Sequence, residues 1–451
     1  MAENTLRDAL LQVLQGQLPD VADAVLGLLE RLEKGESAKQ VEEEFRDQVH
    51  RFGARTLELA LGHKEDGDVR QAVRLQGHLG PDGQPCQGTL ASKGRHETTI
   101  LTMMGPIHPW QWTAVCRTCG RHLGALHELM QVVNGMSAAA ASVVGLEAVK
   151  QAYAPSQRSL KAALGLEVDD NRVAHLVDEL GPTATAVMTE IPRPSHRNMP
   201  PRGSTVYVLT DGGRIRTREK GCPWREPCLG LVTWQRPDGT WVKYGVSHPT
   251  DKAKVLGVLD KWMLRLSPRE EDGWKTHWDV VIIADGAEWI WNWAGQYWWA
   301  TKALDYYHLK ETVWKAAKAL YGEGTAKAAQ WVRRIMDRLW CGWVPSTVQM
   351  LHKMKPRGWD REAKWQAVDS LATYLENHAD LMRYGENRNA GRRIGSGAIE
   401  SLCKQVFSMR MKGPGMFWGD EGALNLMALR TLYVTGRWDS LWEQPARKRA
   451  G

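Results

Sequence analysis

Two aspartates stand where apolar, β-branched runs give way to glycine: Asp211 after residues 204–210, and Asp285 after Val280, Val281, Ile282, Ile283 and Ala284. An acid at the carboxyl end of a buried strand occupies the place where open α/β sheets build their sites. An Asp-Gly pair is also ordinary turn chemistry, so neither aspartate is decisive alone. A third acid, Glu400, falls in the first turns of a helix opened by Gly395, Ser396, Gly397, Ala398 and Ile399. The order is strand-Asp, strand-Asp, helix-Glu. Three carboxylates brought to one sheet edge repel, by roughly 3 kcal/mol per pair at about 5 Å and an effective dielectric near 20, so a cation belongs among them. Oxygen donors with no imidazole or thiolate nearby suit Mg²⁺ or Mn²⁺, and two such ions can clamp the attacking and leaving oxygens of a phosphodiester.

A second set of chemical residues lies upstream. Cys116 and Cys119 form a Cys-x-x-Cys-Gly knuckle after a strand-like run, which is one half of a zinc ribbon. The other half offers Cys86, with Gly83 where a partner cysteine would stand, and a closed structural Zn²⁺ site needs four ligands, so His78 or His122 would have to complete it. A ribbon that keeps its shape without metal is equally open. Near the sheet acids, Asp305 and His308 read as the end of a strand spanning residues 300–307, where the histidine either meets a phosphate or satisfies a backbone carbonyl. Around Glu400 the chain is basic, with Arg392, Arg393, Lys404, Arg410 and Lys412; these are a solvated face or, beside a metal triad, the strip on which a DNA backbone lies. Ile399, Leu402, Cys403 and Val406 make the apolar stripe of the same helix.

Taken together these segments resemble the DDE transposases of bacterial insertion sequences, most closely the ISKra-type family. The resemblance rests on the strand ending at Asp211, on Ala284-Asp-Gly-Ala-Glu-Trp-Ile-Trp291 and on Gly395-Ser-Gly-Ala-Ile-Glu-Ser401. It extends to the Asp305-x-x-His308 pair, to Met411-Lys-Gly-Pro-Gly-Met-Phe-Trp418 and to a closing helix running through Arg430 to Asp439, covering roughly residues 205–441. It implies that Asp211 bridges two ions, that Asp285 holds one and Glu400 the other, and that His308 lies near them. It also implies cleavage of element ends and joining of the freed 3′-hydroxyl to target DNA, without a covalent enzyme intermediate.

The elements that must position these residues can be taken in chain order. Apolar residues at helical spacing fill a helical region over residues 1–62, an oligomerisation element or a DNA-end contact. Residues 63–130 read as a zinc-ribbon-like module. Residues 131–190 are helical, and 166–177 fit either a helix-turn-helix recognition segment capped by Asp169 or Asp170, or a plain helical hairpin. A basic, proline-rich linker occupies 191–203. From 204 to 308 come three antiparallel strands, with a hairpin across Arg236-Pro-Asp-Gly239, then a helix, a fourth strand, a helix over 287–299 and a fifth strand, the order of an RNase-H-like fold. Residues 309–385 read as an all-α insertion, and 386–451 as the second part of the core with a basic tail. The expected class is thus α+β and multidomain.

Composition agrees with this reading without proving it. The chain has 451 residues, a formal charge of +7, 22 tryptophans against 4 phenylalanines, and 7 cysteines, an odd number that suits a reducing cytoplasm better than a disulfide framework. No stretch approaches the roughly 18 apolar residues of a membrane span. The expected partners are DNA, as terminal repeats and target, and further copies of the chain. The rival readings are a nuclease on the same fold that does not join strands, and a transposase-derived DNA-binding protein without catalysis.

Overall fold

The computed structural model describes residues 2–62, 78–79, 85–86, 88–195, 199–219, 221, 223–269, 276–356, 358 and 360–443. Linker residues 196–198, Cys222, Gly83 and the tail residues Arg447, Lys448 and Arg449 lie outside this set, as does the His78 side chain. The chain is α+β and divides into two compact units, residues 1–187 with 421–451, and residues 188–420. Among the described residues no helix is long and apolar enough to cross a membrane.

The first unit opens with the helices Ala2–Glu33 and Ala38–Gly62, which pack on each other and are tied near their turn by Arg31, whose guanidinium donates to both Glu36 and Glu44. Short strands follow. β1 (His78–Leu79) and β2 (Pro85–Cys86) pair antiparallel. β3 (Leu90–Glu97), β6 (Trp110–Cys116) and β7 (His122–Gly124) form a sheet. β4 (Ile100–Thr102) and β5 (Gly105–Ile107) make a small hairpin.

The helices Tyr153–Leu164 and Asp170–Thr189 complete the predicted helical segment, separated by Gly165 at a φ of 64°. The cap is Asp169, whose Oδ1 accepts from the Arg172 N–H at 2.9 Å. Leu166, Val168, Val173, Leu176 and Val177 are buried, so this stripe is core. Residues 421–443, which the sequence reading places with the second part of the core, group with this unit. There the Arg430 guanidinium donates to the Val149 carbonyl, and the Trp438 indole donates to Ser142 at 2.9 Å.

The second unit is built on a five-stranded mixed sheet of β8 (Thr205–Gly212), β11 (Cys228–Gln235), β12 (Trp241–His248), β13 (Asp279–Ala284) and β14 (Thr301–Leu304). A smaller ribbon pairs β9 (Ile215–Arg216) with β10 (Trp224–Arg225). The order across the sheet is β12-β11-β8-β13-β14. β8, β11 and β12 are antiparallel neighbours, whereas β13 runs parallel to both β8 and β14. β8, β11 and β13 are buried almost throughout, as central strands covered on both faces must be. The turn after β11 is the predicted one, with Gly239 at a φ of 84° and Asp238 accepting from the Thr240 N–H at 2.8 Å.

Two segments differ from their sequence reading. The tryptophan-rich helix is shorter, Glu288–Gly295. The fifth strand stops at Leu304, because Asp305 accepts the His308 N–H at 2.8 Å and caps the helix Tyr306–Tyr321. Tyr306, Tyr307 and His308 are therefore helical; their β-favouring side chains gave way to the cap. Helices then continue from Ala326–Trp340 to Tyr384–Asn389 around one apolar core that includes Leu309, Val332, Leu371 and Tyr384.

Candidate functional site

The register of the central strands brings the first two acids together. Leu209 pairs with Ile283 in the parallel ladder. Asp211 and Asp285, each two residues further, emerge on the same face from strands about 4.8 Å apart. The helix Gly397–Cys403 packs against β8 and β11 and carries Glu400 to the same edge. Burial pushes the Asp211 carboxyl above its ordinary range, and the charges of Asp285 and Glu400 push the same way, against the Gly212 N–H that it accepts at 2.7 Å. Three acids far apart in the chain thus meet at one anionic edge. Comparison with protein-family models and with curated proteins finds no match to this chain. Its chemistry must be read from its own groups.

Each acid is held by a neighbour. The Cys403 thiol, buried one turn after Glu400, lies beside Asp211, and burial and the Asp211 charge both push it up. Asp285 accepts the Ala287 N–H at 3.0 Å. Ser396 donates its hydroxyl to Glu400 Oε1 at 2.7 Å, and Ser396 is itself fixed by its N–H, which donates to Asp305. Asp305 has no exposed surface and bridges two segments, the helix it caps and the loop before Glu400. Tyr374, from the helix Arg361–Asn377, closes over the Asp285 turn. A Cβ on Gly286 would lie 2.6 Å from its ring and hydroxyl, so glycine is required there for close approach. Burial raises the Tyr374 phenol to about 12, with Asp285 and Asp305 adding to the rise. Ser396, Cys403 and Tyr374 were not singled out in the sequence as site residues. Only the Ser396–Glu400 spacing of four on a helix start gave a local signal.

The remaining candidates separate. His308 is exposed in the first turn of its helix, and its backbone rather than its ring meets Asp305. Arg392 is committed to a paired contact with Asp279 at 2.7 Å. Arg393 is exposed and lies over the Trp241 ring at 3.8 Å. Lys404 and Lys412 are exposed, Lys404 where the helix widens to a π turn, Lys404–Ser408. Arg410 differs from the expected surface cation. It is 3% exposed and packs on Trp418, because the widened turn rotates it inward.

The first unit holds a separate cluster. The sulfurs of Cys86, Cys116 and Cys119 all lie within 4.8 Å of one another, and no other such group of three or more acids, histidines or cysteines occurs among the described residues. The Cys86 and Cys116 sulfurs are 3.8 Å apart. Each accepts a backbone N–H, from Gly88 at 3.4 Å and from Cys119 at 3.5 Å. A Cβ on Gly88 would fall 2.5 Å from the Cys116 sulfur, so the cradle exists because that position is glycine. His122 is exposed in β7 and is not part of the group. This cluster could hold a metal ion.

Proposed function

We propose that this chain is a DNA transposase of the ISKra-type DDE kind, which cleaves element ends and joins them to target DNA through phosphoryl transfer at Asp211, Asp285 and Glu400. The observation that carries the reading is the arrival of Asp211 and Asp285 in register at the ends of neighbouring parallel strands, with the Glu400 helix packed on the first of them. The sheet order, three antiparallel strands followed by two parallel ones, supports an RNase-H-like core interrupted by the helical segment before Glu400.

The residues fit a pair of hard divalent cations such as Mg²⁺ or Mn²⁺. All three donors are carboxylates, and the charges acting on Asp211 come from the other two acids. Ions held there supply neutralisation of the phosphate and activation of the attacking oxygen. Asp211, on which the charges of both other acids act, would hold an ion together with them, and the Gly212 N–H restrains its carboxylate. Ser396 holds Glu400 in its rotamer. Tyr374 shields the Asp285 turn from water. In the first step water attacks the phosphorus, and the bond to the 3′-oxygen breaks to leave a 3′-hydroxyl. In the second step that hydroxyl attacks a target phosphodiester, and the target's own 3′-oxygen leaves.

The thiol cluster supports a zinc-ribbon-like DNA-end module in the same protein. Zn–S bonds of about 2.3 Å at the tetrahedral angle set sulfurs ~3.8 Å apart, the separation of Cys86 and Cys116. The partners on this reading are terminal-repeat DNA, target DNA and further copies of the chain. The test is incubation of the full chain with the DNA flanking its own gene and Mg²⁺. Joined as well as nicked products are expected. Asp285→Asn should lower both by more than the about 10–100-fold that loss of an outer partner costs, with DNA binding retained. Nicked products alone would favour a nuclease, and near-normal cleavage by Asp285→Asn would remove the triad.

A further inference from the structure

A cleft of about 530 Å³ opens beside Glu400, walled by Tyr306, Tyr307, Trp340, Arg388 and Arg393, with Gly395 and Gly397 at its base. Resting on the reading of Glu400 as part of a DNA-cleaving site, we propose that this cleft receives one unpaired nucleobase of the strand whose phosphate lies at the triad. The base would stack on Tyr307, and Arg388 and Arg393 would hold the phosphates on either side.

The walls are prebuilt. Tyr306 stands edge-on to Tyr384, Trp340 and Tyr307, with ring centroids 5.1, 5.7 and 5.6 Å away. Tyr307 nevertheless keeps 62% of its surface exposed, an unusual cost for a ring fixed in a cluster. Its ring lies against Gly395, where a Cβ would sit 2.7 Å from two ring carbons. Tyr307 and Glu400 therefore hang from the same corner: the Tyr306 N–H donates to the Ile394 carbonyl at 2.9 Å, and Asp305 joins the Tyr307 helix to Ser396 and so to Glu400.

The chemistry selects an unpaired base. The space is that of a small-ligand pocket rather than of a duplex groove. Its aromatic wall is reached only by a base that has left its stack, and such stacking tolerates any base because each has a π face. Both cations on the wall are arginines, suited to phosphate edges, and Glu400 is the one acid of the lining.

The experiment uses the full-length protein with chelator present, so that binding is read without catalysis. A short single-stranded oligonucleotide carrying one 2-aminopurine should lose fluorescence on binding. A duplex with the same base paired should lose much less, and free 2-aminopurine deoxyribonucleotide should bind far more weakly than the oligonucleotide. Tyr307→Leu should weaken the single strand about tenfold and abolish the quenching. Tyr307→Phe should retain both and serves as the folding control, and Arg388→Ala should flatten the salt dependence by about 0.7 log units. Unchanged affinity and quenching in Tyr307→Leu, or equal quenching of paired and unpaired bases, overturns the proposal. Tight binding of the free nucleotide overturns it in favour of a nucleotide site. Tyr307-dependent quenching in a protein that fails to cleave with Mg²⁺ would sustain the cleft and overturn the catalytic reading instead.

Discussion

The carboxylate edge, where we propose divalent cations, and the thiol cluster, which could hold a metal ion, are assembled in opposite ways. The thiols come mostly from one short stretch: Cys116 and Cys119 share a turn, Cys86 joins from a neighbouring hairpin, and their sulfurs all lie within 4.8 Å of one another. The acids come from three elements separated by up to 189 positions, as the numbers 211, 285 and 400 show. They are restrained by Ser396 and by backbone N–H groups. A soft set of thiol donors suits a site that serves structure. A hard, open set, restrained from behind, leaves room for a substrate's oxygens.

The largest effect should separate these two kinds directly. Cys116→Ser removes a ligand and should weaken metal uptake, followed by cobalt absorption at the thiolates, by more than about 100-fold. It should leave Mg²⁺-dependent cleavage of unstructured DNA within a few-fold of normal. Acid should also act on the thiols. The Cys116 thiol is drawn down to about 6, chiefly by the Cys119 N–H donated to its sulfur. Cys86 is raised: the Gly88 N–H lowers it, but burial and the adjacent thiols outweigh that donor. Folding therefore favours the Cys116 thiolate. That contribution is fully present above the unfolded thiol range near about 8.5 and is lost as pH falls through about 6. Cobalt binding should accordingly fade below pH about 6. A cobalt spectrum unchanged by Cys116→Ser would place the metal elsewhere.

The next effect sharpens the account of restraint from behind. Ser396→Ala deletes one hydroxyl that touches Glu400 and no DNA-facing group, and should cost about 10–100-fold in activity at limiting Mg²⁺. Saturating Mg²⁺ should restore most of it. A loss that Mg²⁺ does not relieve would mean that Ser396 acts through the fold rather than through Glu400.

Legibility in the sequence followed the same division between local and distant. The strands ending at Asp211 and Asp285, the turn at Arg236–Gly239 and the helix after Gly395 could be read because period and turn chemistry are local. The strand assigned to residues 300–307 failed at Asp305. Aromatic residues at 306 and 307 favour a strand, but a buried carboxylate accepting the His308 N–H decides for a helix. Tyr374 over Gly286 could not be read at all, since nothing near either residue announces the other. The thiol group was half legible: the Cys116–Cys119 knuckle was visible, whereas the Gly88 N–H that completes the Cys86 side was not.

The smallest effect concerns two cations that look equivalent in sequence, Arg410 and Lys412. Both lie shortly after Glu400, and both were natural candidates for phosphate contacts. The π turn over Lys404–Ser408 inserts an extra residue into the helical period, which rotates the residues beyond it. Arg410 goes under Trp418 with 3% exposure. Lys412 stays in solvent, its ammonium 5.3 Å from the Phe407 ring. Lys412→Ala should therefore weaken specific and unrelated DNA alike by a few-fold, and flatten the salt dependence by about 0.9 log units, with the melting temperature unchanged. Arg410→Ala should do the reverse, lowering stability by about 2 kcal/mol or more through the lost ring contact and stem packing while the salt slope of the protein that remains folded stays the same. Measured together, salt titrations and thermal unfolding of the two variants decide the matter. A changed slope in Arg410→Ala at unchanged stability would put that guanidinium back on the DNA face and remove the rotation argument.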